Sequence, residues 1–128
     1  MSSSWSSTKS VFVGGIAVLA LLVGSIVWQN VAPSEFDDFA QCLNDNGAKV
    51  YSAYWCSNCA TQEAMFGTAY RYIDEKECSS RGSNNFDLCA EDDITGTPTW
   101  ENTNTGERNG GVQSMSDLGE WFGCELPE

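Results

Sequence analysis

An uncharged apolar run near the start of the chain divides it into two parts. Residues 11–28 read VFVGGIAVLALLVGSIVW, eighteen residues without a charged side chain. As a helix this run would extend about 27 Å, which is enough for the hydrocarbon core of a bilayer. The run predicts a transmembrane helix over residues 11–32, between a short tail (1–10) and one folded domain (33–128). A cleaved signal peptide is the alternative, although its apolar region is ordinarily only about 7–15 residues long.

The charges that flank the run predict its orientation. Lys9 precedes it, whereas Glu35, Asp37 and Asp38 follow it. By the positive-inside rule the chain is predicted to be single-pass, with a cytoplasmic N-terminus and an extracytoplasmic domain. A signal peptide would place the domain on the same side. Disulfides persist outside the cytoplasm, so the six cysteines are more typical of disulfides than of metal ligands.

Charge and composition exclude several classes of function. The chain has 18 acidic and 6 basic residues, a formal net charge of −12, and all of its carboxylates lie at or after Glu35. Such a surface repels phosphate backbones, so no nucleic-acid partner is expected. The chain has no histidine, which excludes Ser-His-Asp and Cys-His catalysis and His-ligated zinc. The cysteines remain as the candidate carriers of chemistry.

Predicted helices and strands alternate along residues 33–128, which indicates an α/β domain. In chain order they are a helix from a Ser34 cap to about Asn46, a strand over Lys49–Trp55, a helix over Ala60–Phe66, a strand near Tyr72–Cys78, a short helix over Phe86–Asp93, a hairpin of Thr99–Asn102 and Gly110–Gln113, and a helix from a Ser114 cap through Trp121.

A Cys-x-x-Cys motif, Cys56-Ser-Asn-Cys59, lies between a predicted strand and a predicted helix. At the start of a helix the first sulfur is near unpaired backbone N–H groups and the positive end of the helix dipole. These groups stabilise a thiolate, so Cys56 is predicted to have a lowered pKa and to act as the nucleophile. Cys59, one turn further along, would resolve a mixed disulfide.

Two other interpretations of the motif are a static disulfide and half of a zinc site. Zinc would require a second cysteine pair at short spacing, and the remaining cysteines (42, 78, 89 and 124) supply none. We therefore expect no metal and no cofactor beyond a redox-active disulfide of Cys56 and Cys59.

The residues around this motif resemble those of the thioredoxin fold. The shared segments are Ala53-Tyr-Trp55-Cys56-x-x-Cys59 and Gly96-Thr97-Pro98-Thr99. All six cysteine positions, together with GTPTW and GVQS, are similar to the thioredoxin-like domain fused to bacterial and plant homologues of vitamin K epoxide reductase. The similar stretch runs from about Phe39 to Cys124. The resemblance implies an α/β, thioredoxin-like fold, with a central mixed sheet flanked by helices after the N-terminal transmembrane helix.

The resemblance also implies roles for individual residues. Cys56 and Cys59 would be the catalytic pair, and Pro98 a cis-proline facing them. The backbone of Thr97 would hydrogen-bond an extended substrate peptide. Trp55 would shield the disulfide and contact partners, although a core aromatic is the alternative for this residue.

The other four cysteines are interpreted as structural. Once Cys56 and Cys59 are set aside, three pairings are possible. We favour Cys78–Cys89, which joins the second strand to the next helix across a polar loop. The other pair would then be Cys42–Cys124, which ties the first helix to the C-terminal end. In the alternative view, one of these pairs relays electrons to a membrane partner.

Three positions depart from thioredoxins. The residues between the active cysteines are Ser57 and Asn58 instead of Gly-Pro, and Val50 replaces a buried Asp six residues before the first cysteine. Glu63, one turn after Cys59, is a candidate proton acceptor, with an exposed surface carboxylate as the plainer interpretation.

These observations predict a membrane-anchored thiol–disulfide oxidoreductase that works outside the cytoplasm. Its partners would be client proteins with thiols, which it oxidises, and a membrane oxidase resembling vitamin K epoxide reductase, which recharges it. A reductase or isomerase with the same site is one alternative. The other is a non-enzymatic binding module cross-linked by inert disulfides.

Overall fold

The computed structural model describes residues 5–128, except for the side chains of residues 5–11 and 29–31. The first four residues of the predicted tail, and the Lys9 side chain on which the predicted orientation rests, lie outside that part. The chain divides into two units, Met1–Ala32 and Pro33–Glu128.

In the first unit the described residues form the α-helix α1, over Trp5–Val31. Among the described residues, no helix is both long and apolar enough to cross a membrane. The prediction of a transmembrane helix over residues 11–32 is therefore wrong.

The second unit is built on a four-stranded mixed sheet in the order β2-β1-β3-β4. β1 pairs parallel with β2 and antiparallel with β3, which in turn pairs antiparallel with β4. The strands are β1 (Ala48–Ser52), β2 (Asp74–Glu77), β3 (Thr99–Asn102) and β4 (Glu107–Gly110).

Three α-helices and two 3-10 helices complete the unit. α2 packs against β1, α4 and the first 3-10 helix, which directly continues α3. The α-helices are α2 (Asp37–Asp45), α3 (Ser57–Phe66) and α4 (Met115–Phe122), and the 3-10 helices are Gly67–Tyr72 and Asp87–Asp92.

Apolar side chains cover both faces of the central strand. Val50 belongs to a large buried cluster that includes Phe66 and Trp100, whereas Tyr51 belongs to a second cluster with Cys78 and other buried residues. Neighbouring residues on a strand point to opposite faces, so β1 contributes to both clusters. A mixed sheet buried on both faces agrees with the predicted α/β, thioredoxin-like architecture of this part of the chain.

One of the two predicted serine caps is present in the structure and the other is not. Ser114 caps α4, because its hydroxyl accepts a hydrogen bond from the Asp117 N–H at 3.0 Å. The predicted Ser34 cap is wrong. Ser34 accepts from the Phe36 N–H at 3.2 Å and so forms a turn before α2, which begins only at Asp37.

The strand ends also differ from prediction. β1 ends at Ser52, three residues before the predicted end at Trp55, since the chain turns there toward the cysteine motif. β4 covers Glu107–Gly110 instead of 110–113. The hairpin turn closes directly behind Asn102, whose carbonyl accepts from the Gly106 N–H at 2.7 Å. Gly106 has a φ of 76°, a conformation that favours glycine.

Candidate redox site

Cys56 caps the N-terminus of α3. Its sulfur accepts a hydrogen bond from the Cys59 N–H at 3.2 Å, and its own N–H donates to the Ala53 carbonyl at 2.9 Å. The turn between β1 and α3 thus places the sulfur at the positive end of the helix dipole, where a thiolate is stabilised.

Cys59 lies directly behind Cys56. It is buried, with 7% of its surface exposed, whereas Cys56 is partly exposed. The two cysteines are free thiols, and the Cys59 thiol donates toward the Cys56 sulfur at 2.6 Å. A disulfide bond is about 2.05 Å long, so closing it requires little movement of either side chain.

The two thiols differ in acidity. Burial opposes ionisation of Cys56, but hydrogen bonds with Cys59, Thr97 and backbone N–H groups outweigh it, so the pKa of this thiol is lowered. Burial of Cys59, followed by its hydrogen bond to Cys56, raises its pKa to about 11. Cys56 is therefore the thiol that ionises readily and can be reached from solvent.

This difference predicts two separate steps in the pH dependence of alkylation. Cys56 should react with iodoacetamide from a lower pH than the same cysteine in the denatured chain, because only the thiolate is nucleophilic and its pKa is lowered by folding. Cys59 should react only as the pH approaches about 11. Peptide mass spectrometry separates the two sites. A single shared step at the pH of a free thiol would contradict the prediction.

The loop before β3 faces the cysteine pair. The Thr97–Pro98 peptide bond is cis, and the Thr97 carbonyl oxygen lies 3.4 Å from the Cys56 sulfur. Pro98 itself is fully buried, and its carbonyl accepts from the Gly111 N–H at 2.8 Å. The structure thus brings Thr97 and Pro98 to the site, as the resemblance implied.

Trp55 lies at the rim of the site and not in the core. It is 43% exposed, its indole N–H donates to the Ser79 hydroxyl at 2.9 Å, and its ring stacks on Phe86 at a centroid distance of 5.7 Å. These two contacts hold the ring of Trp55, the residue before Cys56, while leaving part of its surface accessible. Ser79 and Phe86, which hold the Trp55 ring, were not predicted from the sequence. No local pattern indicates that these two residues contact Trp55.

The other four cysteines form two disulfides in the favoured pairing. Cys42 is bonded to Cys124, with a sequence separation of 82, and Cys78 to Cys89, with a separation of 11. Cys78 and Cys89 are fully buried. That one of these pairs relays electrons remains a prediction.

A cavity of about 300 Å³ adjoins both free cysteines. Three carboxylates line it: Glu63, the predicted candidate, and Glu75 and Glu77, which sequence inspection missed. The alternation along β2 puts Glu75 and Glu77 on one face, but only the pairing of β2 with β1 brings that face to the cysteines. Among the described residues, no group of three or more Cys, Asp or Glu side chains could hold a metal ion.

The mixed sheet, the Cys-x-x-Cys at a helix N-terminus and the cis-proline beside it define a thioredoxin-like domain. No family model matches the chain. It is similar to the thiol-disulfide oxidoreductase LTO1 of Arabidopsis thaliana, with 35% identity over 94 residues that cover 70% of this chain and 24% of that protein. The chain thus matches about a quarter of the length of this curated relative.

Proposed function

We propose that this chain is a thiol–disulfide oxidoreductase in which Cys56 exchanges with client proteins and Cys59 completes the exchange. One observation carries the proposal: a partly exposed thiol of lowered pKa lies 2.6 Å from a buried thiol of raised pKa. Because of this difference, we assign to Cys56 the formation of mixed disulfides with clients and to Cys59 their resolution. The similarity to a protein named as a thiol-disulfide oxidoreductase supports the same activity.

The proposed direction is oxidation of clients. A client thiolate attacks the Cys56 sulfur of the Cys56–Cys59 disulfide, a mixed disulfide forms, and Cys59 leaves as a thiolate and takes up a proton. A second client thiolate then attacks the client sulfur of the mixed disulfide, and Cys56 leaves as a thiolate. Two electrons pass from the client to the pair. A lowered pKa at Cys56 supports this direction, because it stabilises the reduced form and makes Cys56 a good leaving group.

Client binding is assigned to the groups around Cys56. The backbone of Thr97, beside the cis-Pro98, offers hydrogen bonds to an extended peptide. The exposed face of Trp55 offers an apolar contact next to the reacting sulfur. Both groups lie where a client cysteine has to approach, which supports their role as substrate-binding residues.

The reduced pair needs an oxidant to work again. We assign this role to a separate membrane oxidase resembling vitamin K epoxide reductase, because the cysteine pattern resembles domains fused to such enzymes. The work is placed outside the cytoplasm, since two disulfides in so small a domain are typical of an oxidising compartment.

The Cys59→Ala variant tests the activity. Without Cys59 the mixed disulfide at Cys56 cannot be resolved, so client proteins should accumulate as adducts on non-reducing gels of intact cells. The matched control is the Cys56→Ala variant, which retains only the buried cysteine and should capture none. If Cys59→Ala captures no protein, the domain is a non-enzymatic module.

The redox state of the wild-type pair tests the direction. Cells are quenched with acid and their thiols are alkylated, so that the fraction of chain with the Cys56–Cys59 disulfide can be measured. A mainly oxidised pair is expected for a disulfide donor. A mainly reduced pair would instead identify a reductase or isomerase that uses the same two cysteines.

A further inference from the structure

The buried cysteine of the site needs a base. To resolve a mixed disulfide at Cys56, Cys59 must attack as a thiolate. Its side chain is buried and its pKa is raised to about 11, so at neutral pH nearly every molecule carries a protonated Cys59. Residue 50, on the strand that leads into the motif, offers no help because it is a fully buried valine.

The carboxylate that takes this place lies on the neighbouring strand. Glu75 of β2 is in register with Val50 of β1. Paired residues of parallel strands project from the same face of a sheet, so Glu75 lies on the face that carries Val50 and Ser52. Ser52 confirms this placement, since its hydroxyl donates to Glu75 Oε1 at 2.5 Å.

Glu75 is oriented by two buried hydroxyl groups. The first belongs to Ser52, which is 4% exposed. The second belongs to Tyr70, whose pKa is raised by burial and further by the charge of Glu75 and a hydrogen bond with it. These hydrogen bonds restrict the carboxylate, although one side of it remains open to the cavity that Cys59 also lines.

The two other carboxylates of the cavity are held differently. Glu77 Oε1 accepts from the backbone N–H groups of Tyr54 and Ser79, at 3.2 and 2.9 Å, and thereby fixes the chain after each of the two strands. Glu63 lies on α3 and, like Glu75, is exposed. Of the three carboxylates, Glu75 is the one that accepts a hydrogen bond from a buried side chain of the sheet, that of Ser52.

We propose that Glu75 is the proton acceptor for Cys59, reached across the shared cavity directly or through one water molecule. The inference rests on the proposed function. When the reduced pair is recharged, the Cys56 thiolate attacks a disulfide and forms a mixed disulfide, releasing one thiolate. Glu75 then takes the proton of Cys59, and the Cys59 thiolate attacks the Cys56 sulfur. The second thiolate of the oxidant leaves, so that two electrons have passed to it, and the proton leaves Glu75 to solvent.

The Glu75→Gln variant tests the inference in single-turnover reactions of the reduced full chain with oxidised glutathione. Gln keeps the size of the side chain and an oxygen that can accept from Ser52, but it cannot take up a proton. Formation of the glutathione adduct at Cys56 should proceed at the wild-type rate. Its conversion to the Cys56–Cys59 disulfide should slow by at least about 10²-fold, the lower end of what a positioned base contributes. The fraction of chain that carries the glutathione adduct is measured by mass spectrometry after acid quenching.

The pH profile separates a base from a merely structural residue. The other titratable groups around the site of Cys59 are Tyr54, Cys56, Glu63, Glu77 and Tyr70, and all of them are retained in Glu75→Gln. The slowing in Glu75→Gln should decrease as the pH rises, because the buried Cys59, whose pKa is raised, then ionises without the help of a base. A defect that is constant with pH would overturn the role of Glu75.

The matched control is Glu63→Gln, which removes one negative charge from the same cavity. It should resolve the adduct at nearly the wild-type rate, and an equal slowing in both variants would overturn the assignment to Glu75. Resolution by Glu75→Gln at the wild-type rate would overturn it as well. A wild-type chain that forms no adduct at all would instead contradict the proposed function, so the two failures are distinguishable.

Discussion

Replacement of Cys56 by Ser is expected to abolish thiol–disulfide exchange, with a loss of at least about 10³-fold in rate, equivalent to about 4 kcal/mol of activation free energy. A serine hydroxyl neither ionises near neutral pH nor forms a disulfide. Cys59 cannot substitute for Cys56, because it is buried and its pKa is raised to about 11. The rate is measured as oxidation of a dithiol peptide by the oxidised chain or, for variants that cannot form the disulfide, as reaction with oxidised glutathione.

The loss of exchange activity in Cys56→Ser would come from the missing thiol and not from a change in the fold. Cys56 is the N-cap of α3, and serine is among the best residues at that position, so the Cys56→Ser variant should keep its helix. Ser57→Ala is the matched control, since it removes an exposed hydroxyl next to the reacting sulfur and should leave the rate unchanged. Exchange at the wild-type rate by Cys56→Ser would refute the assignment of the nucleophile.

The largest effect on stability is expected from removal of the Cys42–Cys124 disulfide. The cross-link spans 82 residues, and in the chain-entropy model a loop of that length contributes about 4.5 kcal/mol, against about 3 kcal/mol for Cys78–Cys89. Since domains are stable by only about 5–15 kcal/mol, the Cys42→Ala/Cys124→Ala variant should be partly unfolded at ordinary temperature. Urea titration, followed by tryptophan fluorescence, gives the free energy of unfolding.

Asn46 provides the control for that measurement. Its side-chain amide donates to the Phe122 carbonyl at 2.8 Å and lies 3.5 Å from each sulfur of the disulfide. Asn46→Ala therefore removes the polar contacts around the bridge but keeps the bridge, and should lower the free energy of unfolding by only about 1 kcal/mol. If the double cysteine variant is no less stable than Asn46→Ala, the cross-link does not tie α2 to the C-terminal end as proposed.

Local signals were predicted well from the sequence. The Ser114 cap depends on a residue only three positions away, and the structure has the predicted hydrogen bond. Ser34 carries a similar signal, yet its hydroxyl accepts from Phe36 and the helix begins later. Both conformations satisfy a backbone N–H, so the local pattern could not separate them. The apolar run at 11–28 predicted a transmembrane helix, but among the described residues no helix is both long and apolar enough to cross a membrane.

The sequence by itself determined the cysteine motif and its place between a strand and a helix, because the groups that lower the pKa of Cys56 lie within three residues of it or in the recognisable Thr97-Pro98 segment. Only the tertiary structure brought the acids of β2 to the cavity beside Cys59. Ser52 and Glu75 are 23 residues apart and meet only through the parallel pairing of β1 with β2. A one-residue change in that register would turn Glu75 to the opposite face of the sheet, and no local pattern determines such a register.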